Sequence, residues 1–162
     1  MRCLGMLFGA LLLGAAPHPS AGDLQILGLS LTETPDQVTR ILGRPALVAD
    51  FAGDFLSWQY QIGDIDHHEF SHQLVFRRST RSLISVTRNY DPPRILDDLF
   101  PASETTTHHS PDKSFHLRLR RLSGGRLLMA MGAAEAGQQV AQILLIRQSE
   151  LAHFYPWLAK QL

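Results

Sequence analysis

The most chemically suggestive run in the chain is His68-Glu69-Phe70-Ser71-His72, which matches H-E-x-x-H. On a helix, positions 68 and 72 lie on one face about 6 Å apart, close enough for both imidazoles to hold one zinc ion. Glu69 would then take a proton from the zinc-bound water, as a hydrolase requires. Asp66 even offers an N-cap with Glu69 three residues on, a capping-box arrangement.

The same residues also read as a strand. Phe70, His72, Leu74 and Phe76 share one parity and are mostly apolar, while Ser71, Gln73, Val75 and Arg77 share the other. In a strand, positions 68 and 72 are about 13 Å apart, too far for one metal. Val75 and Arg78 occupy the places where the extended zinc motif carries a glycine and a third histidine, and Glu104, Glu135 and Glu150 are the candidates for a missing third ligand. The alternation favours the strand, and with it no catalytic residue and no cofactor. Catalysis by Glu69 with zinc on His68 and His72 stands as the alternative.

Other residues are candidates for binding. Trp58 and Tyr60 lie two apart in an aromatic run, and Arg118 and Arg120 lie two apart in a basic one that continues to Arg121 and Arg126. His108-His109 sits in a Ser/Thr/Pro-rich stretch and offers a surface metal site only if another histidine approaches. Residues 23–69 hold eight acids against two bases, and residues 70–126 hold ten bases against five acids. The middle of the chain therefore has a positive bias, read first as a solvated outer sheet face, with a charged face for a partner as the alternative. Over all 162 residues the 15 basic and 15 acidic side chains balance, which leaves no global electrostatic case for nucleic acid.

Several elements must position these residues. Arg2 followed by the apolar stretch Leu4 to Ala16 is too short to span a bilayer and suits a signal peptide. Ser20 and Gly22 are small residues at −3 and −1 of a cut after Gly22, with a cut after Ala21 as rival. Residues 1–22 are thus expected to be removed, leaving no transmembrane span and no thiol, since Cys3 is the only cysteine. A single domain over 23–162 follows, located in the periplasm or secreted. With 44% apolar and 19% charged residues the composition is globular, and about 140 residues can hold a fold by packing alone.

Thr34 is a suitable N-cap, Pro35 suits the first helical position, and Val38, Ile41 and Leu42 mark one helical face. Gly43 and Pro45 end this helix. Strands are predicted at 55–62, 70–77 and 82–90, followed by a short helix over 93–100. Residues 115–122 alternate as a strand, with Phe115, Leu117 and Leu119 inward and His116, Arg118 and Arg120 outward. Ser123-Gly-Gly125 turns the chain into 126–131. Val140 to Ile146 fits a strand or a buried helix, and a final helix over 150–162 should bend at Pro156.

Gly28-Leu-Ser-Leu31, Thr34-Pro-Asp-Gln-Val38, Ile41-Leu-Gly-Arg-Pro45 and Leu56-Ser-Trp-Gln-Tyr60 follow one another over residues 28–60. This order resembles the outer-membrane assembly lipoproteins of the SmpA/OmlA (BamE) family and the tandem halves of β-lactamase inhibitor proteins. The resemblance implies two helices followed by a three-stranded antiparallel sheet. The lipid-bearing cysteine of the first family and the paired cysteines of the second are absent from this chain.

The expected architecture is α+β, an antiparallel sheet with helices packed on one face. Its second half, 91–162, repeats the element order of 23–90 as two αβββ-like units. The expected function is a small exported envelope protein that binds another envelope protein without catalysis, as an assembly or inhibitor-like module. The alternative is a zinc-dependent hydrolase.

Overall fold

The computed structural model describes residues 24–61 and 70–162. The expected signal peptide, His68 and Glu69 lie outside the described residues.

The first helix, α1 (Pro35–Leu42), forms as its sequence signals predict. Thr34 Oγ1 accepts from the Gln37 backbone N–H at 3.3 Å, and Gln37 Oε1 accepts from the Thr34 N–H at 2.8 Å, a reciprocal capping box. Gly43 ends it at φ +79°, with its N–H donating to Thr39 O.

Eight strands follow, β1 (Leu47–Phe51), β2 (Phe55–Gln61), β3 (Phe70–Arg77), β4 (Ser82–Arg94), β5 (Thr105–His109), β6 (Phe115–Leu122), β7 (Arg126–Ala133) and β8 (Val140–Arg147). They make one antiparallel sheet in the order β1-β2-β3-β4-β8-β7-β6-β5. Two four-stranded meanders therefore meet at the β4–β8 seam, and β1 and β5 are the outer strands. Short helices α2 (Leu151–Phe154) and α3 (Pro156–Ala159) close the chain on either side of Tyr155.

The fold is largely β, which corrects the α+β expectation with helices on one face and three strands per half. Two strands escaped the sequence reading. Leu47–Phe51 is short and follows a proline, and Thr105–His109 was hidden in a run of turn-forming residues. The helix expected over 93–100 does not form. β4 continues to Arg94, and only a 3-10 turn, Asp97–Leu99, follows. The carbonyls of Leu99 and Phe100 accept from Arg120 and Arg118 at 3.3 and 2.8 Å, which ties the end of this segment to β6.

Both faces of the sheet are covered. One line of directly paired residues runs Val48, Trp58, Leu74, Val86, Leu145, Leu128, Arg120, Thr105 across all eight strands. Its central members pack with Val38 of α1, with Leu24 to Leu31 and with Phe100. The line one residue along runs Leu47, Gln59, Gln73, Thr87, Leu144, Met129, Leu119, Thr106. On that opposite face Leu144, Met129 and Leu119 pack with Leu151 and Leu158 of α2 and α3. Two-sided burial explains the continuous apolar runs Leu127 to Ala130 and Ile143 to Ile146, every residue of which is buried. Among the described residues, no helix is long and apolar enough to cross a membrane.

Candidate functional site

The four residues singled out for binding do not form a site. Trp58 and Tyr60 lie on β2, Arg118 and Arg120 on β6, with β3, β4, β8 and β7 between them. Trp58 is half-buried, its ring centroid 4.7 Å from that of Phe76. Tyr60 is 7% exposed and its hydroxyl donates to Gly43 O at 3.4 Å, tying the end of α1 to the sheet. Burial pushes the Tyr60 phenol up from its ordinary value.

Arg118 and Arg120 were expected to point outward, but their side chains are only 14% and 11% exposed. Arg118 donates to Asp97 Oδ1 at 2.9 Å and lies over the Phe100 ring, 5.2 Å from its centroid. Arg120 Nε donates to Glu104 Oε2 at 2.7 Å. The two arginines strap residues 97–104 onto the sheet. Their alternation was correctly read, but the segment that covers them is distant in sequence.

Phe70–Arg77 is a strand, so Phe70 to His72 are not on a helix as a helical H-E-x-x-H requires. His72 stands between Tyr60 and Arg88 in the ladder. It is 7% exposed, so the strand buries it. Among the described residues, no group of three or more His, Cys, Asp or Glu side chains is placed to hold a metal.

What the sequence reading missed is an apolar edge. β1 is an outer strand, and Leu47 (46%), Val48 (52%) and Phe51 (36%) are among the most exposed large apolar residues described, with Ile41 of α1 at 50%. Ile41 was assigned to the inner helical face, but α1 buries Pro35 and Val38 instead. The pairing puts Val48 on the α1 face and Leu47 and Phe51 on the other, so the edge is apolar on both sides. Its one charged side chain, Asp50, pairs with Arg78. The other outer strand, Thr-Thr-Thr-His-His, is polar throughout.

The β1–β2 hairpin is also pinned. Arg78 N–H donates to Asp54 O at 2.7 Å, and Ser79 N–H donates to Asp54 Oδ1 at 3.0 Å. The Ser79 hydroxyl donates to the same carboxylate and holds it below its usual range. Phe51 stacks on Phe154 of α2 at 5.9 Å, and Arg77 bridges to Glu150 at 2.5 Å. The hairpin is thus held to the β3–β4 turn and to α2.

No protein-family model and no curated protein matches the chain. Among solved structures, an extracellular protein containing a SCP domain from Bacillus anthracis str. Ames is similar at a TM-score of 0.45 and 11% identity. The alignment covers 90% of this chain and 51% of the length of that one.

Proposed function

We propose that the protein is an exported, non-catalytic protein-binding module that takes an extended segment of another envelope protein alongside β1. The observation that carries this reading is the apolar, pinned edge strand with Leu47, Val48 and Phe51 exposed. An outer strand carries unpaired backbone donors and acceptors, and proteins ordinarily guard such a strand with charge. Here β5 is polar throughout, whereas β1 exposes large apolar side chains beside its one carboxylate, Asp50. An added strand satisfies the backbone groups, and its alternate apolar side chains cover Val48 on one face and Leu47 and Phe51 on the other. The n-region, the apolar stretch and the small residues ending at Gly22 support export. The resemblance of residues 28–60 to envelope assembly and inhibitor proteins points the same way.

Partner capture from envelope extracts tests it, comparing the wild type with Val48→Lys and with Thr106→Lys on the opposite edge. A partner held by the wild type and by Thr106→Lys but lost by Val48→Lys supports the proposal. Equal capture by all three, or a hydrolase activity that disappears with Glu69→Gln, overturns it.

A further inference from the structure

The two ends of the β1 edge carry opposite charge. Arg44, on the approach from α1, is exposed and forms no ion pair with a described residue. Asp50, near the other end, has a side chain 81% exposed, and its carboxylate pairs with Arg78. A carboxylate offers about four acceptor positions, so Asp50 can take a second guanidinium without giving up the first. Between Arg44 and Asp50 stand the exposed apolar side chains of Leu47 and Val48. The chain is held along β2 before the strand begins, since the Ala46 N–H donates to Gln59 O at 2.8 Å. An edge with a basic start and an acidic end is complementary to itself when two copies run antiparallel, because each start then lies beside the other's end.

A two-fold contact uses the same patch on both chains, and along a strand edge it gives an antiparallel pair. The register follows from the residues. With the axis at Val48, that side chain faces Val48 of the second copy, Leu47 faces its Ala49, and Ala46 faces its Asp50. The centre of the contact is then the most exposed apolar side chain of the strand, at 52%. Arg44 falls diagonal to Asp50 of the second copy at both ends, about 7–8 Å away and within reach of a long side chain. An axis at Ala49 would set Val48 against the Asp50 carboxylate. An axis at Leu47 would draw Pro45, which has no N–H, into the ladder.

We propose that, while no partner segment is present, two copies of this protein cap each other along β1 in this register. The proposal rests on the reading of β1 as an edge open to an added strand, and it supplies the regulation of that edge, since a partner must displace the second copy. A five-residue strand covers less than the roughly 1,000 Å² of a lasting complex. The dimer therefore forms and dissociates with concentration, and a longer partner segment outcompetes it.

Sedimentation velocity of the mature protein across the micromolar-to-millimolar range tests this. Wild type should pass from monomer to dimer with no larger species, because a two-fold contact closes on itself. Thr106→Lys on the opposite edge should leave the dimer unchanged. Val48→Lys sets two like charges directly opposite each other and should stay monomeric. Arg44→Glu and Asp50→Lys should each weaken dimerisation by about tenfold. An equal mixture of those two should recover it, because the heterodimer has an opposite-charge pair at both ends. A wild type that stays monomeric, a dimer that survives Val48→Lys, or a mixture no better than its components would overturn the proposal. A monomeric wild type whose captured partner is still lost on Val48→Lys would overturn the dimer alone and leave the binding module standing.

Discussion

Gly132 stands opposite His116 in the β6–β7 ladder, and a Cβ on Gly132 would lie 2.8 Å from the imidazole Cε1 and 2.0 Å from Gln139 O. Neither neighbour is free to retreat. The imidazole is held by Ala133 O, and Gln139 is the residue before β8. Gly132→Ala should therefore destabilise the fold by about 1–3 kcal/mol through overpacking. Chemical denaturation checks this, and a loss of a few tenths or less would show that the loop yields.

Gly43 makes the opposite case, because nothing lies within 4 Å of its missing Cβ. The cost of a side chain there comes from the backbone alone, at φ +79°. Gly43→Val should cost about 1 kcal/mol or more, since a β-branched residue tolerates this region poorly. With ψ at −166° this is a region that glycine alone enters readily, so Gly43→Asn should lose about as much as Gly43→Val. Wild-type stability in either variant would count against the backbone explanation.

His72 is buried on β3, so His72→Ala removes packed volume and should cost about 1–3 kcal/mol. The loss should be the same with and without a chelator. A zinc ligand would behave otherwise, with chelation lowering the wild-type melting temperature toward that of the variant. Thermal melts of both proteins in both conditions separate the two.

Asp112 sits in the turn between β5 and β6, where its Oδ1 accepts from Ser110 Oγ at 2.6 Å, Ser114 Oγ at 2.8 Å and Ser114 N–H at 3.1 Å. The Ser110 hydroxyl is the largest cause, and together these bonds lower its pKa to about 2. A depressed folded-state pKa contributes stability that is present above the unfolded value of 3.8 and is lost as pH falls through about 2. Carboxyl NMR titration should find the midpoint near that value. Ser110→Ala should move it up toward 3.8, and an unmoved midpoint would reject the hydroxyl as the cause.

Much of the local structure was legible because its causes are local. Thr34, Pro35, Gln37 and Gly43 sit within a few residues of the groups they cap, so α1 and its end follow from the sequence. Alternation over 70–77 and 115–122 marked β3 and β6 with their ends, and Gly124 and Gly125 marked the turn after β6. The edge strands were not legible. Leu47–Phe51 is too short for a pattern, and Thr105–His109 lies among residues that favour turns as readily as strands.

Sequence alone determined the turn after β6, which residues of β3 and β6 share a strand face, and that a capped helix precedes the strands. Which face of a strand meets solvent depended on the whole fold. His116, Arg118 and Arg120 alternate as an outward set, yet residues 97–104 and 134–139 fold over them, because contacts made across the sheet have no period along the chain. For the same reason only the tertiary structure brought His109 opposite His116 and left Val48 on an open edge. Neighbours in space are chosen by strand order, and the order β4-β8 at the centre, with β1 and β5 outermost, is a property of packing two meanders together.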